Sequence, residues 1–97
     1  MNNPNYKTIK YIDGEIEIDV YEIDNQYYLN KINTQNLLQI SARTFKSNIK
    51  ILKEKLTLKR IKGQNLPFYN SKKSAYYYSL TTIEEIAKNT ATNRTLN

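Results

Sequence analysis

Two periodicities divide the chain. From Tyr6 to Leu29 apolar residues recur every second position, and from Thr34 to Leu56 they recur with the spacing of a helix. Tyr6 to Ile12 alternates around Ile9 and Tyr11, and Asp13-Gly14 is a strong hairpin turn. Glu15 to Ile23 then sends Ile16, Ile18 and Val20 to one side and Glu15, Glu17 and Asp19 to the other. That is the pattern of a half-solvated antiparallel ribbon with one apolar and one acidic face. Asp24-Asn25-Gln26 predicts a second turn, and Tyr27-Tyr28-Leu29 a short third strand. A lone hairpin is marginal in water, so the ribbon must pack on helices or on a second subunit.

Within Thr34–Leu56 the expectation is a short helix, a tight turn at Ile40-Ser41 and a longer amphipathic helix. Asn33 or Thr34 can cap the first helix, which turns Leu37 and Leu38 inward. Ser41 suits the cap of the second, because its hydroxyl can accept from an unpaired backbone N–H. Phe45, Ile49, Leu52 and Leu56 form one stripe of that helix. Arg43, Ser47, Lys50 and Glu54 lie opposite, with Lys46 on the flank and Ile51 as a stray apolar residue. Leu58 to Lys62 reads as a strand leaving the helix, and Tyr76 to Leu80 as its returning partner, with Tyr76 and Tyr78 inward and Tyr77 outward. Gly63 to Pro67 and Asn70 to Ser74 are loop chemistry on either side of Phe68-Tyr69. Thr81 or Thr82 with Glu84 or Glu85 makes a capping box for a last short helix containing Ile83, Ile86 and Ala87. From Lys88 onward no period is visible, so residues 1–5 and 89–97 read as flexible tails of a single domain.

With 97 residues, the chain can hold one small core. At 39% hydrophobic and 25% charged it is globular in composition. There is no apolar run long enough for a membrane span, and the first residues lack the pattern of a secretory signal. The absence of cysteine excludes disulfides and thiolate metal sites, which fits a reducing cytoplasm. The charge distribution says more than the net +6. Residues 1–30 sum to −4, residues 31–73 to +10 and residues 74–97 to zero. The basic excess coincides with the paired helices and the hairpin after them, as expected where phosphates are neutralised.

A short helix, a tight turn and a second helix with a basic outer face form the pattern of a helix-turn-helix, whose second helix enters the major groove of DNA. The residues placed to meet base edges or phosphates are Arg43, Thr44, Lys46, Ser47 and Lys50. Arg43 can take a guanine through O6 and N7, and Lys50 a guanine or a phosphate. Thr44 and Ser47 suit a thymine methyl or a phosphate, whereas Glu54 should point away from the duplex. On the hairpin, Lys59, Arg60, Lys62, Lys72 and Lys73, with Gln64 and Asn65 near the tip, can follow the backbone or enter the minor groove. An ordinary lysine-rich surface helix and a solvated hairpin are the bland readings of both features.

Nine tyrosines raise two further ideas, a stacking platform for unpaired bases and a tyrosine nucleophile. The second lacks company, with no histidine and no carboxylate cluster in the basic region. No catalytic residue, metal ligand or cofactor is therefore expected. Glu15, Glu17 and Asp19 should face away from DNA, toward solvent, a basic partner or a second copy. A homodimer on a two-fold site would be the usual way for so small a module to gain affinity. A protein-interaction adaptor that does not bind DNA is the competing class.

The run Leu37 to Phe45 and the hairpin from Lys59 to Tyr78, 29 of the 97 residues, resemble winged helix-turn-helix proteins of phages and conjugative plasmids. In layout the chain is similar to the small winged-helix accessory proteins of relaxosomes (TcpK type). That resemblance implies an α+β fold with an N-terminal antiparallel β-ribbon, a recognition helix, a long hairpin wing and a short C-terminal helix. It implies duplex DNA as partner, a mark at an origin of transfer, and a relaxase or other DNA-processing protein nearby. A second likeness, carried by Tyr27 to Phe45, is to phage antirepressor-like regulators, and it implies transcriptional control of a mobile element.

Overall fold

The computed structural model describes residues 6–63 and 76–95 (backbone alone for Tyr6 and 91–95). It is an α+β arrangement of five antiparallel strands and three helices. The order is β1 (Tyr6–Asp13), β2 (Ile16–Ile23), β3 (Gln26–Leu29), α1 (Lys31–Leu38), α2 (Ala42–Glu54), β4 (Arg60–Lys62), β5 (Tyr76–Ser79) and α3 (Leu80–Thr95). In the sheet the strands lie β1-β2-β3-β5-β4, so the hairpin that follows the helices pairs through β5 with β3, which precedes them.

The two N-terminal turns follow from their residues. Gly14 at φ +63 opens a two-residue turn between Asp13 and Ile16, one position later than the dipeptide alone predicts. Asp24 and Asn25 both take positive φ, 50 and 67, between the paired residues Ile23 and Gln26. Positive φ at both central positions matches the twist of the flanking strands, and Asp and Asn tolerate it better than most residues.

Helix α1 starts earlier than its sequence signals. Asn30, not Asn33 or Thr34, is the cap, its Oδ1 accepting from the Asn33 backbone N–H at 2.9 Å. Asn33 has a different task. Its Oδ1 accepts from the backbone N–H of Asp19 at 2.9 Å, and its amide donates to Asn30 Oδ1 at 2.9 Å. Asp19 lies beyond the part of β2 that pairs with β3, so a side chain from α1 stands where a strand would. Thr34 is fully buried and returns its hydroxyl to the Asn30 carbonyl at 2.8 Å. The ribbon is thereby bolted to the start of α1, which answers how a hairpin of that length persists.

The core lies between one face of the sheet and the helices, and gathers Ile18, Leu29, Phe45, Leu52, Tyr78, Ile83 and Ile86. Phe45 meets Tyr78 edge-on with ring centroids 5.1 Å apart. The expected stripe of α2 holds at Phe45 and Leu52, is half-buried at Ile49 and fails at Leu56, which is 90% exposed. The cause is local. Helix α2 ends at Glu54, and Thr57 N–H reaches back to the Leu52 carbonyl at 3.0 Å. That closure throws Leu56 into the left-handed region at φ 60, and Leu58 packs on the core instead.

Two further expectations change. Tyr77 does not face outward: it is 5% exposed and packs with Ile23, Tyr21, Tyr28 and Ile61. By register these residues occupy the sheet face opposite the helices, so the acidic face of β2 becomes apolar at its Tyr21 end. Tyr21 meets Tyr77 edge-on at 5.1 Å. The C-terminal helix is not short, because α3 runs to Thr95 through the segment read as a tail. Its buried positions continue from Ile83 and Ile86 to Thr90, whose hydroxyl caps the Ile86 carbonyl at 3.0 Å. A threonine on the buried face hides the period from a reading of apolar residues alone. The cap is Ser79, whose Oγ accepts from the Thr82 N–H at 3.3 Å, rather than Thr81 or Thr82. Thr82 is buried and joins β4 to α3, accepting from the Lys59 N–H at 2.9 Å and donating to its carbonyl at 3.1 Å.

Candidate nucleic-acid interface

Gln39, left-handed at φ 56, ends α1, and Ser41 restarts the chain as the cap of α2. Ser41 Oγ accepts from the Thr44 N–H at 3.1 Å and donates to Thr44 Oγ1 at 3.1 Å. These bonds fix the first turn of α2, where Arg43 projects. Arg43, Lys46, Ser47 and Lys50 are exposed and Thr44 is half-buried, so the stripe opposite Phe45 and Leu52 stands clear of the core. Among the described residues none of Arg43, Lys46, Lys50 and Lys53 makes an ion pair, whereas Lys7 and Lys10 do so on the ribbon.

This arrangement carries an electrostatic cost. The first turn of α2 has no acidic residue, yet Arg43 sits there against the positive end of the helix dipole. Arg43–Lys46, Lys46–Lys50 and Lys50–Lys53 are like-charged neighbours three or four residues apart, each pair costing about 0.2–0.5 kcal/mol in an isolated helix. Cations held together in this way raise the local positive potential.

Two shallow, open grooves border it. One, of about 670 Å³, runs between Arg43, Lys46, Ser47, Ile49, Lys50 and Lys53. The other, of about 540 Å³, is lined by Arg43, Thr44, Ser47, Asn48, Ile51, Lys55 and Asn89. Arg43 and Ser47 form the rim shared by both. Asn48 and Asn89 are missing from the residues picked out by sequence. Asn48 is 5% exposed, donates to the Thr44 carbonyl at 2.9 Å and accepts from Asn89 Nδ2 at 3.1 Å. This relay sets the rotation of α2 against α3. Its one sequence signal is the polar residue between Phe45 and Leu52 on the inward side of an otherwise regular helix.

On the hairpin, Lys59 and Lys62 are exposed while Arg60 is half-buried. The Arg60 guanidinium lies 3.8 Å from the centroid of the Tyr76 ring, so it is held by an aromatic face. Burial pushes the Tyr78 phenol up, and the nearby Arg60 partly offsets that rise. Arg60 pairs in register with Tyr78 and Lys62 with Tyr76, placing both cations on the helix side of the sheet, the side that bears α2. Gln64, Asn65, Lys72 and Lys73 lie outside the described residues.

Comparison with known proteins finds no match. No family model, curated protein or solved structure matches the chain. Among the described residues no cluster of three or more potential metal ligands occurs, and no helix is long and apolar enough to cross a membrane. The tyrosine triplet is packed, with Tyr77 and Tyr78 buried and Tyr76 half-buried under Arg60, while Phe68 and Tyr69, the other aromatics of this stretch, lie outside the described residues.

Proposed function

We propose that this chain is a winged helix-turn-helix protein that binds duplex DNA and has no enzymatic activity of its own. The observation that carries the reading is the cationic stripe of α2, exposed, without carboxylate partners and fixed on a capped helix that follows a tight turn. The topology is compatible with it: strand β3, helices α1 and α2, then a hairpin whose returning strand pairs with β3. In this reading α2 lies in the major groove. Arg43 reads a guanine edge, Thr44 and Ser47 approach thymine methyls or phosphates, and Lys46 and Lys50 hold phosphates beside them. Lys59, Lys62, Lys72 and Lys73, with Gln64 and Asn65, follow the backbone or the adjacent minor groove. Arg60 acts from its seat on Tyr76. Asn48 and Asn89 set the angle at which α2 enters.

For the biological use of such a complex, we propose the mark of an origin of transfer recognised with a relaxase, with control of a promoter as the second reading. The first rests on the resemblance carried by Leu37–Phe45 and the hairpin, the second on the likeness carried by Tyr27–Phe45. Selection from a pool of randomised duplexes, followed by footprinting on the DNA flanking the gene, tests both levels. A protected site beside a relaxase gene supports transfer, and one over a promoter supports control. Failure to enrich any duplex overturns the DNA-binding reading itself.

A further inference from the structure

The two edges of the sheet are defended differently. Edge strand β4 is three residues long, and Arg60 and Lys62 are two of them. Short, cationic edges resist further pairing. At the other edge, β1 is eight residues long, in unbroken register with β2 and free of proline. It carries exposed apolar side chains at Ile9 (36%), Tyr11 (44%) and Ile12 (66%). Its lysines do not guard it, because both are neutralised within the ribbon. Lys7 pairs with Glu22 at 3.5 Å, and Lys10 with Asp19 at 2.9 Å and Glu17 at 3.4 Å.

We propose that β1 pairs antiparallel with β1 of a second copy, joining two sheets across a two-fold axis at Lys10. A continuous sheet related by such an axis must keep each face on its own side, so opposed residues have the same parity. Centring on Lys10 sets Ile9 against the partner's Tyr11, twice by symmetry, on the face that bears the helices. The same face sets Lys7 against the partner's Asp13, also twice, so each end of the seam is closed by opposite charges. On the other face Ile12 meets the partner's Thr8. Lys10 meets its own copy, with Glu17 and Asp19 of each chain holding the two ammonium groups. Centring on Ile9 instead sets Lys7 against Tyr11 and leaves Asp13 without a cation opposite. The occupant of this edge is therefore the same strand, chosen by charge and apolar complementarity. Dimerisation of this kind does not depend on DNA.

The chain has no cysteine, which makes the test direct. In Lys10→Cys the two thiols face each other across the seam, with Cα atoms about 4.5–5.5 Å apart, within the reach of a disulfide. Mild oxidation should convert most of this variant to a covalent dimer. Thr8→Cys should stay monomeric under the same conditions, because its own copy lies four residues away, about 13 Å along the strand. Light scattering on the unmodified chain should give twice the 11.4 kDa mass of one chain. Ile9→Glu with Tyr11→Glu should halve that mass while leaving the circular dichroism unchanged. A monomer at about 100 µM, well above the micromolar range of ordinary specific interfaces, would overturn the proposal. So would equal cross-linking at positions 8 and 10, or a dimer that survives the double glutamate variant. Should that variant fail to fold, the cysteine pair decides alone. Each readout is a mass in the absence of nucleic acid, so the outcome is separate from that of the DNA-binding reading.

Discussion

The β1–β2 ribbon and helix α2 each separate an apolar from a polar face, yet they treat charge in opposite ways. On the ribbon, cations and carboxylates are interleaved: Lys10 bridges Glu17 and Asp19, and Lys7 meets Glu22. These exposed pairs add little to stability, but they cancel the field locally. On α2, like charges follow one another along the outer stripe, and one of them opposes the helix dipole. The ribbon's cations find their carboxylates within the ribbon, whereas those of the helix stripe are left without carboxylate partners among the described residues. On the proposed reading, this contrast marks the binding surface more sharply than net charge does.

The largest way to break the contrast is to remove the core that turns the stripe outward. Phe45→Ala should cost about 3–5 kcal/mol, measured by denaturant unfolding. For so small a domain that approaches global unfolding, and it should abolish every activity at once. Next in size, Arg43→Ala should cost about 1–3 kcal/mol on the selected duplex and relax its specificity. Equal losses on selected and random duplexes would remove the base-reading role and leave Arg43 a phosphate contact. Smaller again, and opposite in sign, Lys46→Gln removes two like-charged pairs, Arg43–Lys46 and Lys46–Lys50. It should raise the stability of the free protein by about 0.2–0.5 kcal/mol per pair while weakening binding to all duplexes. Lys10→Gln, its counterpart on the ribbon, should lower stability marginally and leave binding unchanged. A destabilised Lys46→Gln would dissolve the comparison.

The smallest effect is in pH. Lys10 is raised above its ordinary 10.5 by its hydrogen bond to Asp19, and Tyr21 and Tyr78 above 10.0 chiefly by burial. Each binds its proton more tightly in the fold than in the unfolded chain. The stability tied to them is therefore whole below the unfolded values and lost as pH climbs through the folded ones. Unfolding midpoints should hold up to about pH 9 and fall between about pH 10 and 12. Phenolate absorbance should show Tyr21 and Tyr78 ionising above the ordinary 10.0.

Periodicity made the ribbon, α2 and the strands around the hairpin legible, because alternation and the helical stripe there involve apolar residues. Elements built by polar side chains carry no such signal. Asn30 took the cap from Asn33 because Asn33 was needed at Asp19, a demand visible only once β2 and α1 lie together. Thr82 and Thr90 are buried, so apolar residues mark only part of the inward face of α3, which runs on to Thr95. Tyr77 belongs to a second apolar cluster that joins residues from four strands, each giving only one or two of them, too few to show as a period. At the candidate site the exposed stripe was readable from residue types. The Asn48–Asn89 relay was not, since two asparagines 41 residues apart announce no contact.

The most direct test is the salt dependence of duplex binding, read by fluorescence anisotropy on a selected site for the unmodified chain and for Lys46→Ala with Lys50→Ala. The cationic stripe predicts tight binding at low salt, with log K falling linearly against log salt. Each lost phosphate contact should flatten that slope by about 0.9. An unchanged slope in the double variant, or no duplex binding at low salt, would contradict the assignment of α2 as the DNA-binding surface.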